Sequence, residues 1–491
     1  MKRISLALLT ICLLAFSLVG CNGFYNPPST STVVYGNLEY KRVEENGKLV
    51  GYEVTGLGTY SSNNVLIPEA YMDMPVIGIG DNAFAGLTQL NSIDMYSSVK
   101  YIGNDAFANC TELKTIGLSK NITEIGSNCF SGCYMLNYNV YKNGKYLGND
   151  ANPYMVFINC VNAENFELHE NTKLIYSLAF AHSDIESVNL PKNVMSFSGF
   201  DFLDCKKLTS ITVDSENAVY SASNNAVIRK EDNALVLALD SVDLSTISAE
   251  KILGYAFANW NKTDPITISS VVTSLDDNAF AYGKFSGVNL SASIQEIGMG
   301  IFYSCSNLAT IGDFTGENYY CKNNCIIDII NKSVLAGCKN SVIPTESNVT
   351  LIDNSAFFYC VGLKEITIPE NIVKIDEMAF YWCTSLEKIN FSNNLKIIGK
   401  NAFSLCSSLK SITLNEGLRR LDKGAFSSSS IETVSIPSTV EYIEENAFRN
   451  CTKLKTVYYA LTKEDFLKIS MSEGNEALFT AEQVFNQTIP A

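Results

Sequence analysis

Fifteen cysteines and two histidines are the residues in this 491-residue chain whose types could do chemistry. Cys129/Cys133 and Cys321/Cys325 have CxxxC spacing, with Cys338 nearby. Zinc wants four thiolate or imidazole ligands at tight spacing, and no histidine lies close in sequence to either pair. His169 and His182 have no partner motif, so a Ser/His/Asp arrangement cannot be argued from them. No GxSxG, Walker A, HExxH or dinucleotide-binding glycine motif is present. Asp276-Asp277-Asn278 reads as a solvated turn, with a calcium ligand set as the alternative. No catalytic residue, metal or cofactor is therefore expected.

Composition narrows the class further. With 36 Lys+Arg against 51 Asp+Glu the net charge is −15. Nucleic-acid affinity rests on basic residues that release counterions, so a nucleic-acid partner is not expected. At 46% hydrophobic the chain is far too apolar for disorder.

The elements that position these residues belong to a repeat. Ala-Phe or a close relative recurs with its Phe at 84, 107, 130, 180, 202, 257, 280, 302, 357, 380, 403, 426 and 448, in steps of 22 or 23 within each uninterrupted run. In the cleanest copy Leu363, Ile366 and Ile368 alternate with Glu365 and Thr367, the period-2 pattern of a strand with one buried face. Ile372 and Ile375 form a second short extended stretch. A short helical turn then brings the chain round and inserts Phe380. One coil cannot bury its own apolar side, so the coils must stack into a shared core. Phe84, Phe107, Phe130, Phe180, Phe257, Phe280, Phe357, Phe380, Phe403, Phe426 and Phe448 are its expected spine.

Eight cysteines (Cys110, Cys133, Cys205, Cys305, Cys360, Cys383, Cys406 and Cys451) stand three residues after a repeat Phe. Recurrence at one repeat position favours a column of reduced, buried thiols over a disulfide framework, although coils about 4.8 Å apart also bring some pairs within reach of a disulfide. Three gaps break the rhythm, between Phe130 and Phe180, Phe202 and Phe257, and Phe302 and Phe357. Apolar runs separated by Asn-, Gly- and Lys-rich turns predict β-hairpins there, within elongated coils that stay in the stack.

At the N-terminus, Lys2 and Arg3 precede an apolar run from Ile4 to Phe16 and then Leu18-Val19-Gly20-Cys21, the layout of a secretory signal. The last four residues resemble a bacterial lipobox, which implies diacylation of Cys21 and cleavage ahead of it. Residues 22–32 then read as a solvated tether. The only membrane contact expected is through the lipid.

The repeat Ala-Phe-x-x-Cys-x-x-Leu-x-x-Ile-x-Ile-Pro resembles the BspA-type (Treponema pallidum-type) leucine-rich repeats of bacterial surface proteins, over roughly residues 36–460. The resemblance implies an α/β, β-rich right-handed leucine-rich-repeat solenoid of about sixteen coils, with short strands and short helical turns. Residues 1–20 would be the signal, 21–34 the lipidated tether, 35–62 a capping coil and 63–457 the solenoid, with long coils near 134–160, 213–240 and 314–338. Residues 458–491 would close the stack, with a short helix starting at Thr462.

The outward positions of the main strand supply the candidate binding face: Asp94, Thr115, Asn189, Thr212, Asn289, Thr310, Thr367, Lys388, Asn390, Thr413, Thr433 and Ser435. Side chains two apart in a strand share a side, so these groups should face out together as a shallow hydroxyl- and amide-rich surface. Ser and Thr also suit an exposed strand without any ligand. Resemblance to the family implies a lipid-anchored, adhesin-like protein on the cell surface, binding extracellular or host-surface proteins or glycans. A glycan-capturing accessory or enzyme subunit and a structural envelope protein without a ligand are the alternatives.

Overall fold

The computed structural model describes residues 38–487; Cys21, the signal and the tether lie outside them. The chain winds as a β-solenoid of about 19 turns, close to the sixteen expected. Each regular coil carries two short strands. In the cleanest copy these are Glu365–Thr367 and Lys374–Ile375. Corresponding strands of successive coils pair in parallel, Ile366 with Ile389 and Ile375 with Ile398. The sequence period is thus the pairing register.

Leu363, Ile366, Ile368, Ile372, Ile375 and Phe380 are all at most 3% exposed, while Glu365 and Thr367 face solvent. The corner between strands is a chain of i→i−3 backbone bonds, Cys383 N to Phe380 O at 3.2 Å and Leu386 N to Cys383 O at 3.0 Å. It is broken by left-handed residues, so it rarely closes as a helix; Gly199–Phe202 is a corner that does, as a 3-10 turn. Corners also pair with one another, Phe380 N donating to Ala402 O and Phe403 N to Ala425 O, each at 2.8 Å.

The expected Phe spine is present and buried. Rings of successive coils stack, with centroids 4.9 Å apart for Phe357–Phe380, 5.0 Å for Phe380–Phe403 and 5.4 Å for Phe403–Phe426. Parallel offset rings are a favourable arrangement, and the coil rise sets it automatically.

Each long gap holds an antiparallel meander: Asn139–Tyr141, Gly144–Asn149 and Asn152–Cys160; Tyr220–Ser223, Ala226–Arg229 and Ala234–Ala238; Tyr319–Lys322, Cys325–Asp328 and Ser333–Gly337. The last strand of each pairs in parallel with the next coil, so the ladder continues through it. The hydrophobic core is correspondingly divided into four clusters that meet at the meanders. At the C-terminal end Thr462 caps the helix Lys463–Phe466 by accepting from Asp465 N, a second helix spans Ala477–Thr480, and Glu482–Phe485 adds the last strand.

Candidate binding face

Parallel pairing sets the outward residues of the main strands side by side. Of the predicted face, Asp94, Thr115, Asn189, Thr212, Asn289, Thr310, Thr367, Lys388 and Thr413 are exposed. Asn390 and Thr433 are half-buried. Ser435 departs from the expectation: it is 1% exposed. It sits in register between Thr413 and Tyr458, and a small side chain beside a large one on the neighbouring strand is readily overshadowed.

The exposed groups bond mainly to one another. Asn390 Nδ2 donates to Thr367 Oγ1 at 3.0 Å and to Glu365 Oε1 at 3.1 Å, and Lys388 Nζ reaches the same Glu365 oxygen at 2.7 Å. Thr212 donates to Asn189 at 2.9 Å, Asn289 to Thr267 at 3.1 Å and Thr433 to Ser411 at 2.8 Å. These bonds join coils 22 to 25 residues apart and orient the side chains that make them. The Lys388 bond, with help from Asn390, holds the Glu365 carboxyl below its usual range. Burial, with the charge of Asp150, raises that of Asp94.

The cysteine column has a sharper role than packing. Seven of its eight thiols donate to the carbonyl of the repeat Phe one coil back, including Cys110 to Phe84 O (3.0 Å), Cys133 to Phe107 O (3.1 Å), Cys205 to Phe180 O (2.9 Å) and Cys383 to Phe357 O (3.2 Å). Cys305, Cys406 and Cys451 do the same. The eighth, Cys360, follows a meander, where no repeat Phe comes directly before. A buried carbonyl thereby gains a second donor. Among the described residues every cysteine is a free thiol. Burial pushes Cys110 and Cys406 up to about 12, which leaves almost no nucleophilic thiolate at neutral pH.

The other candidates for chemistry are engaged by the protein. Cys133 belongs to the column, Cys321 Sγ points at Ile311 O and Cys325 Sγ at Val342 O, each at 3.6 Å. Among the described residues no three metal-ligating side chains converge. Asp276 pairs with Lys251 at 2.9 Å and Asp277 accepts from Met299 N at 2.7 Å, so this turn ties the preceding coil to the next. His169 stacks on Tyr154 at 4.0 Å, and His182 lies 3.5 Å from Asp204 on the surface. A cavity of about 390 Å³ lies between Ser223–Ile228 and Ser241–Ser248; its carboxylate, Asp243, is occupied in capping the turn after it.

One surface was missed by the sequence reading. In the middle coils a file of partly exposed rings, among them Tyr255, Tyr282, Tyr303, Tyr381 and Trp382, runs along the corners. Its sequence signal is an aromatic residue within two positions of the repeat Phe in consecutive copies, visible only once the copies are superposed.

Comparison with known proteins bears on this geometry. The family model for the BspA type leucine rich repeat region matches residues 57–153, 153–229, 236–326 and 328–455. A search of curated proteins finds no match. Among solved structures, a leucine rich cell surface protein from Faecalibacterium prausnitzii A2-165 is 22% identical, covering 91% of this chain and 99% of that one, with a TM-score of 0.39. A leucine-rich repeat protein from Bacteroides ovatus is also 22% identical, covering 92% and 98%, with a TM-score of 0.32. The pneumococcal vaccine antigen PcpA is 14% identical, covering 92% and 98%, with a TM-score of 0.35. With family matches across most of its length, and with the strands and corners of successive copies in register, the chain belongs to the BspA-type leucine-rich repeat family.

Proposed function

We propose that this is a lipid-anchored cell-surface binding protein, adhesin-like in action, that presents the main-strand face to extracellular or host-surface proteins or glycans. The observation that carries this reading is the cross-coil ladder of Asn189–Thr212, Thr267–Asn289 and Thr367–Asn390. It fixes the side chains at three places along a long polar surface, and extended solenoid surfaces are what repeat proteins bind with. Small hydroxyls and amides favour many weak contacts over one tight anchor. The Leu18-Val19-Gly20-Cys21 sequence supports the anchor, two acyl chains being enough for stable membrane attachment.

Two experiments test the reading. Cys21→Ala should move the protein from the membrane fraction to the soluble fraction, and unchanged retention refutes lipidation. Residues 33–491 screened against matrix proteins and glycan arrays should give a ligand whose binding falls in a Thr367→Arg/Thr413→Arg variant. Uniform failure at high concentration would leave a structural envelope role as the better account.

A further inference from the structure

The file of rings on the corners is contributed by a different segment of each coil from the strand face. It runs Phe200–Tyr255 (4.6 Å between centroids), Tyr255–Tyr282 (6.4 Å), Tyr282–Tyr303 (5.2 Å), Tyr303–Phe358 (5.0 Å) and Phe358–Tyr381 (5.3 Å). Tyr359–Trp382 (5.2 Å) lies alongside, joined through Tyr303–Tyr359 and Tyr381–Trp382.

Half of these rings stand on left-handed backbone, as Leu178, Met378 and Leu405 do at the same corner positions elsewhere. The second residue before and the second after the repeat Phe are left-handed in most coils, and Asn is their commonest non-glycine occupant: Asn82 (φ 58°), Asn109 (61°), Asn401 (54°) and Asn450 (58°). Asn tolerates this region because its short polar side chain bonds locally, whereas a bulky side chain is crowded against its own carbonyl. In the middle coils the same positions hold Tyr255 (65°), Tyr282 (66°), Tyr359 (58°) and Trp382 (59°). Strain of this kind persists where structure over-determines it, and it clusters at ligand sites.

Packing explains only part of the file. Beside two meanders a straight strand replaces the Ala-Phe corner: the amides of Ala238 and Gly337 bond to Ala256 O and Ala356 O, where elsewhere a repeat Phe amide would bond. Phe200 with Tyr255, and Tyr303 with Phe358, meet across those strands. That account does not extend to Tyr282, Tyr381 and Trp382, which stand on coils with complete corners. Trp382 is 38% exposed.

We propose that this file is a binding site for a neutral, extended glycan chain lying along the stack. Three observations select that occupant. The rings form a narrow strip, one ring wide from Phe200 to Tyr303 and two wide where Tyr359 and Trp382 lie alongside. With at most about a third of the roughly 150–250 Å² of each side chain uncovered, eight of them offer about 600 Å² or less, short of the ~800 Å² per partner of a stable protein interface. Tyr hydroxyls, such as those of Tyr282 and Tyr303 at 3.4 Å, put polar tips beside apolar rings, matching a sugar with its C–H faces and hydroxyl rim. The net charge of −15 repels an acidic polysaccharide but not a neutral one.

Affinity electrophoresis of the mature chain through gels containing β-glucan, xyloglucan or mannan, with polygalacturonate as the anionic comparison, tests this. Retardation by at least one neutral polymer and not by polygalacturonate is expected. Tyr282→Asn/Tyr359→Asn/Trp382→Asn should weaken it about tenfold or more, with the melting temperature kept or raised because Asn suits the left-handed backbone. Should the triple variant fail to fold, Trp382→Asn against Trp382→Phe gives the same contrast, Phe retaining binding. Lys48→Ala, exposed in the hairpin at the N-terminal end and outside both surfaces, should leave glycan retardation intact. The proposal is overturned by no retardation in any neutral polymer, by undiminished binding of the Asn variants, or by glycan binding lost in the strand-face variant instead. Ridge-dependent capture of a protein without any glycan would overturn it too.

Discussion

Asp201 shows how far the stack can force a single side chain. Its oxygens accept from Ser198 N at 2.7 Å and Leu178 N at 3.2 Å, which tie one corner to its neighbour. Burial outweighs both bonds and raises the carboxyl to about 8. An unfolded chain would ionise this group near 3.9. Between those values folding must take up a proton, so the contribution of Asp201 is complete below about pH 4 and is lost as pH rises through about 8. Thermal melts at pH 5 and pH 8 should therefore show a larger fall in melting temperature on raising the pH in wild type than in Asp201→Asn. The Asp201→Asn variant is expected to be less stable overall, because an amide nitrogen cannot accept the second backbone bond, so the difference between the two pH values is the readout. Equal falls in both proteins would refute the assignment.

Coils also demand particular backbone room from one another. Gly103, Gly126 and Gly298 stand four residues before a repeat Phe. A Cβ there would lie 2.5 Å from Asp81 N, 2.4 Å from Asn104 N and 2.3 Å from Asp277 N, each in the preceding coil. These neighbours are backbone atoms, so no rotamer change relieves the contact. Gly126→Ala should cost about 1–3 kcal/mol, read as a lower urea midpoint, and an unchanged midpoint would show that the coils slide apart freely. Such contacts mark what was legible in the sequence. The period, the Phe spine and the strand alternation were readable because about a dozen copies repeat them. The meanders were readable from Asn224-Asn225 and Asn323-Asn324, which turn their hairpins with positive φ. The burial of Ser435 was not, since it depends on the neighbouring strand and not on its own. Nor was the thiol bond from Cys383 to Phe357 O, whose partner is a backbone atom 26 residues away. The corner rings were hidden because a tyrosine carries no sign of its φ, and only its Asn counterparts reveal that the position is left-handed.

At the scale of the whole molecule, a stack of coils is stable only if its two ends are closed. The N-terminal end is covered by the hairpin Glu39–Glu45 and Lys48–Gly56, rich in Glu, Lys and Arg. Charged edge strands resist pairing with other chains. At the other end Glu482–Phe485 pairs with Thr456–Tyr459, and Phe466 and Leu478, at 1% and 0% exposed, cover the last coil. A chain ending at Val457 would uncover that coil's apolar interior and leave its strand edge unpaired, and size-exclusion chromatography should show it as aggregate. Deleting residues 381–403 removes one full period, joins Phe380 to Ser404 in phase and leaves both ends in place. That chain should stay soluble, and its circular dichroism per residue should match that of the parent. The pair of deletions separates closure from length. If the shorter-by-one-coil protein aggregates while the uncapped chain remains monodisperse, the coils are not interchangeable units and the terminal segments do not close them.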